Sequence, residues 1–166
     1  MNQVETYANI TGFPKYQISN FGNVKNIKTG RILKPQSDRD GYLYVNLRDD
    51  GETSTKKIHR LVANAFLENP EDKKCVDHID RNKLNNHISN LRYATVSENA
   101  QNVSINTTNT SGVRGVSLDK KLNKWKVQIT VNGIRKHLGY FTNKEDAIAA
   151  RQNAEIQYFK EFRAVN

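Results

Sequence analysis

The chain has 166 residues, with 26 Lys and Arg against 17 Asp and Glu and a formal net charge of +9. That length suits one ordinary domain or a few small modules, and the charge suits a polyanionic partner. A single cysteine excludes an internal disulfide and a multi-cysteine zinc site, and no apolar run reaches membrane-spanning length or forms a secretory leader.

Residues 1–57 alternate short apolar and polar runs with turn signals. Tyr16 to Ser19, Val24 to Ile27, Arg31 to Lys34, Tyr42 to Leu47 and Thr55 to Ile58 read as strands. Asn20-Phe21-Gly22-Asn23, Lys28-Thr29-Gly30, Pro35 to Gly41 and Asp49-Asp50-Gly51 separate them. The expected product is a small antiparallel sheet. Tyr16-Gln17-Ile18-Ser19-Asn20-Phe21-Gly22-Asn23-Val24 resembles the NUMOD-type module found ahead of nuclease motifs. That resemblance implies DNA contact, with Lys25, Lys28, Arg31 and Lys34 as phosphate neighbours.

Ile58 to Leu67 is predicted helical. Ile58, Leu61, Val62, Ala65 and Phe66 follow the 3.6-residue period, and Asn69-Pro70 ends the segment. His59 and Arg60 fall on the other faces, where a histidine is more often structural than functional.

Val76 then runs straight into Asp77-His78, which reads as a short strand delivering two polar groups at its tip. An Asn-rich loop follows, suited to turns because Asn side chains bond nearby backbone. His87, in that loop, is expected to face solvent. Leu91 to Ala94 reads as a second strand. Thr95-Val96-Ser97-Glu98 has capping-box spacing, so a helix should start at Thr95 and carry Asn99 in its first turns.

The pattern Asp-His-x-Asp-x-Asn-x-x-Asn-Asn from Asp77, then Asn90-Leu91-Arg92, then Asn99, resembles the HNH (ββα-metal) nucleases of homing endonucleases. The resemblance covers about Ile58 to Asn102. It implies His78 as the general base, Asp77 and Asn99 as ligands of one divalent cation, and Asn90 as the brace of loop and base. Oxygen donors of this kind suit Mg²⁺ or Mn²⁺ better than Zn²⁺. The implied reaction is hydrolysis of a DNA phosphodiester, leaving 5′-phosphate and 3′-hydroxyl ends. With one centre per chain, a monomer nicks.

Val103 to Ser111 is an uncharged Ser/Thr/Asn tract and reads as a linker. Beyond it, Val113 to Leu118, Lys124 to Val131 and Ile134 to Leu138 read as strands, the last two joined by an Asn132-Gly133 hairpin. Thr142 to Glu145 has capping-box spacing, and the helix after it sets Ala147, Ala150, Ala154 and Tyr158 near one face. Ser111 to Val116, Lys124-Trp125, Leu138 to Phe141 and Glu145 to Ala150 resemble the plant ethylene-response-factor (APETALA) type DNA-binding domain. That resemblance implies a sheet entering the major groove, with Arg114, Lys124, Gln128, Thr130, Arg135 and His137 facing DNA. Ser117, Thr130 and His137 depart from the residues typical there, so no target sequence carries over. Trp125 reads as core.

The fold class so read is α+β, in four parts. These are a NUMOD-type sheet over 1–57, a nuclease unit over 58–102, a linker over 103–111, and a three-stranded sheet packed on one helix over 112–166. Double-stranded DNA is the expected partner, in the cytoplasm, with no membrane and no obligatory protein partner. The competing expectation is a DNA-binding regulator whose nuclease unit is vestigial.

Overall fold

The structure is a computed structural model that describes residues 4–103 and 109–163. Most of the expected linker, 104–108, lies outside the described residues. Contacts divide the chain into two units, Met1–Thr95 and Val96–Asn166.

The first unit opens with β1 (Tyr7–Ile10), β2 (Phe13–Ser19) and β3 (Val24–Asn26), an antiparallel sheet in that order. A second sheet joins β4 (Gln36–Ser37), β5 (Leu43–Asp49) and β6 (Glu52–Lys57). Helix α1 (Ile58–Phe66) follows without a break, and then β7 (Cys75–His78) pairs antiparallel with β8 (Leu91–Ala94). Arg31 to Lys34 does not form the expected strand. It makes one bridge, Lys25 to Ile32; Ile32 is exposed, and Leu33 alone of the segment packs against the core.

One core joins most of these elements. Ile18, Val24, Val45, Leu47, Ile58, Leu61, Val62 and Leu91 are buried together. Each such side chain contributes about 1.5–3 kcal/mol when taken fully out of water. The expected boundary at 57/58 is therefore not a boundary between cores, since α1 supplies apolar side chains to the two sheets before it and the β7–β8 pair after it. His59 corrects another expectation. It is buried, 4% exposed, rather than on an outer face of α1.

The second unit contains α2 (Val96–Asn99), β9 (Val116–Asp119), β10 (Lys124–Val131), β11 (Ile134–Phe141) and α3 (Lys144–Phe159). The sheet is antiparallel in the order β11-β10-β9. Val116, Val127, Ile129, Ala147, Ala154 and Phe159 form its core against α3, with Trp125 packed at the edge. The helix starts one residue later than the capping box predicts. Asn143 is its N-cap and makes no side-chain capping bond; instead its Nδ2 donates to the Asp146 carboxylate at 3.2 Å.

Strand β9 also starts later than expected, and Gly115 is the reason. Its φ is +76°, and a Cβ there would stand 2.3 Å from the Gln128 carbonyl oxygen and 2.9 Å from Arg151 Nη1. Only glycine permits that approach. Gln128 lies at a register shift between β10 and β11, and buried Arg151 donates to its carbonyl at 2.6 Å while bonding Glu155 at 2.8 Å. Arg151 thus joins Ala147 and Ala154 on the packed face of α3, while Ala150, expected there, is half-buried.

Candidate active site

Strand β7 ends on two buried polar residues, Asp77 and His78, 5% and 4% exposed. Asp77 stands directly opposite Arg92 in the β7–β8 register. Arg92 Nε and Nη2 both donate to Asp77 Oδ2, at 2.9 and 2.8 Å. The pair lets a carboxylate sit at a buried strand position, where an unpaired charge would be very costly.

The His78 ring is held by Asn86, whose Oδ1 lies 3.1 Å from Nε2. Asn86 Nδ2 donates to the Leu84 carbonyl, which turns its oxygen toward the imidazole. In that arrangement Nε2 carries the hydrogen and Nδ1 carries the lone pair, a tautomer assigned from the hydrogen-bond network. Burial pushes the His78 pKa below its usual value, against the opposing pull of Asn86 and Asp77. The ring is therefore neutral at neutral pH.

Asn90, expected to brace both loop and base, bonds within the loop, and Asn86 rather than Asn90 holds the imidazole. Asn90 Nδ2 donates to Asp80 Oδ1 and the Asn85 carbonyl, both at 2.8 Å, and its Oδ1 accepts from Asp80 N at 3.0 Å. Burial works to raise the Asp80 pKa, but hydrogen bonds from Asn85, Asn82 and Asn90 outweigh it and hold the carboxyl low. The N-terminal module leans on the same loop. Ile88 N donates to the Asn20 carbonyl at 2.8 Å, and Phe21 meets His87 edge-on at 4.6 Å. A Cβ on Gly22 (φ +91°) would come within 3.0 Å of Asn86 Cβ. His87, expected to face solvent, is half-buried by this packing.

Two aromatic neighbours of His78 were not expected from sequence. His59 lies 5.2 Å away, edge-on, and Tyr42 lies 6.0 Å away and 4.9 Å from His59. His59 Nδ1 is buried with no hydrogen-bond partner among the described residues. Burial, and then the nearness of His78, drives its pKa down to about 3. The usable signal was helical spacing, since position 59 stands three residues before Val62 and seven before Phe66, on the edge of the apolar stripe.

Among the described residues no three His, Cys, Asp or Glu side chains cluster to hold a metal ion. A cation here would rest on few protein ligands, as Mg²⁺ usually does, and the Asp77 carboxylate is a hard oxygen donor of the right kind. Asn99 closes α2, in the second unit.

The expected DNA-facing residues of the first unit are spread out. Lys25 sits over the Tyr7 ring at 3.9 Å. Lys28 lies exposed in the turn after β3. Arg31 and Lys34 share a cavity of about 480 Å³ with Asn26, Gln36 and Asn46. In the second unit, Lys124, Gln128 and Thr130 alternate along β10 with the buried Val127 and Ile129. Gln128 pairs with His137 and Thr130 with Arg135 across the strands. Arg114, Gln128, Thr130 and Arg135 line a cavity of about 910 Å³, where Arg114 Nη1 also donates to the Ala100 carbonyl at 3.0 Å.

A strand ending in a buried Asp-His pair, a braced Asn loop and a second strand define the class. The family model for the NUMOD4 motif matches residues 5–48, and that for HNH endonuclease matches residues 56–101. The chain belongs to the HNH homing endonuclease family and carries an HNH endonuclease domain.

Phage and giant-virus proteins are among those the chain is similar to. The DNA endonuclease I-HmuI of Bacillus phage SP01 is 41% identical over 122 residues, 73% of this chain and 70% of that protein. The solved structure on DNA binding and cleavage by the HNH homing endonuclease I-HmuI matches with a TM-score of 0.56 at 29% identity, covering 91% of this chain and 88% of that one. The uncharacterized HNH endonuclease L247 of Acanthamoeba polyphaga mimivirus is 51% identical over 110 residues, 64% of this chain but only 27% of that protein. Against that relative the chain spans under a third of the length. The comparisons do not show the ethylene-response-factor type domain, and the second unit rests on its own geometry.

Proposed function

We propose that this chain is a site-specific endonuclease that hydrolyses phosphodiester bonds of double-stranded DNA, nicking as a monomer and leaving 5′-phosphate and 3′-hydroxyl ends. The observation that carries this reading is the buried His78, held by Asn86 in the tautomer that leaves Nδ1 basic, beside Asp77 at the end of β7.

In this reading His78 Nδ1 takes the proton of the attacking water. A well-placed general base of this kind contributes about 10²–10⁴ in rate. Asp77 and Asn99 supply oxygen ligands to one divalent cation, Mg²⁺ or Mn²⁺. When bound, that ion stabilises charge on the phosphoryl group and on the departing 3′ oxygen. Asn90 keeps the loop from Asp80 to Asn85 closed, so that Asn86 stays against the imidazole.

Recognition is assigned to both units. In the first, Lys25, Lys28 and Arg31 contact the backbone. In the second, Arg114, Lys124, Gln128, Thr130, Arg135 and His137 present the sheet to the duplex, and Arg114 or Arg135 reads guanine edges. The working place is the cytoplasm. Among the described residues no helix is long and apolar enough to cross a membrane.

A supercoiled-plasmid assay with Mg²⁺ or Mn²⁺, on DNA flanking the gene, tests the reading. Conversion to open circle that chelation abolishes and His78→Ala removes supports it. Binding without nicking under either metal overturns it in favour of a DNA-binding regulator.

A further inference from the structure

The Tyr42 ring gathers more than the two histidines. Lys57 Nζ and Lys83 Nζ each stand 4.5 Å from its centroid. The two lysines come from separate elements, one from the end of β6 and the other from the Asn loop after His78. We propose that Lys57 and Lys83, held over Tyr42 beside His78, form a grip for the phosphodiester backbone of the strand being cut. The ligand class is a nucleic-acid phosphate, and the proposal rests on the endonuclease reading.

The geometry fixes both ammonium groups without exhausting them. Lys83 Nζ donates to the Asp40 carbonyl at 2.8 Å, and Lys57 Nζ lies 3.1 Å from Asp38 Oδ2. An ammonium carries three N–H donors, so each keeps capacity for a phosphate oxygen. Asp38 does not need Lys57 to justify its position. Its Oδ1 already accepts from the backbone N–H groups of Asp40 and Tyr42, both at 2.9 Å, closing the turn that leads into β5. A structural role for the lysines is the competing account, but a half-exposed ion pair of this kind is worth only about 0–1 kcal/mol. Two cations converging from different elements on one ring, which itself lies beside His78, match a polyanion better than they match fold stability. The ring also draws the cations close by its quadrupole, and the carboxylate oxygen beside them is Asp38 Oδ2, at Lys57.

The test separates the grip from the cleavage claim. Binding of the full chain to an arbitrary-sequence DNA duplex is measured across a salt series with metal withheld, for wild type, Lys57→Gln, Lys83→Gln, the double variant and Lys57→Arg/Lys83→Arg. Each lost phosphate contact lowers the slope of log K against log salt by about 0.9. The double Gln variant is expected to bind more weakly with a slope lower by about 2, at an unchanged melting temperature, while the Arg pair restores both. An unchanged slope in the double Gln variant, or wild type that does not bind duplex at all, overturns the proposal. Wild type that binds but never nicks with Mg²⁺ or Mn²⁺ sinks the endonuclease reading alone, and the slopes still decide the grip.

Discussion

The His59 imidazole meets the His78 imidazole edge-on, ring centroids 5.2 Å apart at an interplanar angle of 64°. The two rings sit in one buried pocket, so a positive charge on either raises the cost of a charge on the other. That coupling gives a stability prediction. His59 binds a proton at the ordinary histidine pKa when unfolded and only near 3 when folded. Between about pH 6.5 and pH 3 the unfolded chain holds the extra proton, so stability rises with pH and falls on acidification, by up to roughly 1.4 kcal/mol per pH unit. Urea unfolding of wild type and His59→Phe from pH 7 to pH 4 measures this. The Phe variant should lose distinctly less stability on acidification, and parallel losses would show that His59 is not the group responsible.

Activity should follow the protonation of His78. Its pKa lies below the free value of about 6.5, chiefly through burial. A base works in its neutral form, so the acid limb of the nicking rate is expected below pH 6.5, with a plateau through neutrality. His78→Ala should lower the rate by about 10²–10⁴ while leaving duplex affinity in place. A wild-type acid limb above pH 7 would contradict the assignment.

Asn86 makes the tautomer testable by itself. Asn86→Leu keeps much of the volume but removes the acceptor at 3.1 Å from Nε2. One such hydrogen bond is worth about 1 kcal/mol, so nicking should slow several-fold at saturating DNA, with little change in affinity. Asn86→Asp, which keeps an acceptor oxygen, should retain more of the rate. Equal loss in both variants would mean that packing rather than the hydrogen bond matters.

Arg92 should prove more important for folding than its surface chemistry suggests. Arg92→Leu leaves the Asp77 carboxylate buried at 5% exposure without its cross-strand cation. Breaking a buried pair in this way costs about 3–5 kcal/mol. Asp77→Asn combined with Arg92→Leu should recover part of that loss in denaturant melts, while DNA cleavage stays abolished.

The parts of the site that sequence made legible are local in the chain. Asp77-His78, Asn90 and Arg92 lie on two adjacent strands and the loop between them, so spacing alone carries their geometry. Asn132-Gly133 likewise fixed its hairpin. His59, Tyr42 and Lys57 were harder, because α1, the turn before β5 and β6 bring them together only through packing of the common core. Strands β1 and β4 escaped notice because they are short edge strands, for which little alternation exists to read. On α3, Arg151 joins the packed face, where its guanidinium serves a backbone carbonyl that no apolar pattern announces.

The turn Asn20 to Asn23 bonds Ile88, sets Phe21 edge-on to His87 and places Gly22 against Asn86. The N-terminal sheet and the loop that holds His78 are therefore one mechanical piece. A reader of new specificity cannot be acquired by swapping the segment ahead of the nuclease strands, as beads on a string would allow. An incoming sheet would have to bring its own glycine and aromatic at that corner, or the imidazole would lose its register. Diversification of target sites along this lineage should accordingly be concentrated on residues away from that corner, such as Lys28 and Arg31, which are exposed, with the corner itself left untouched.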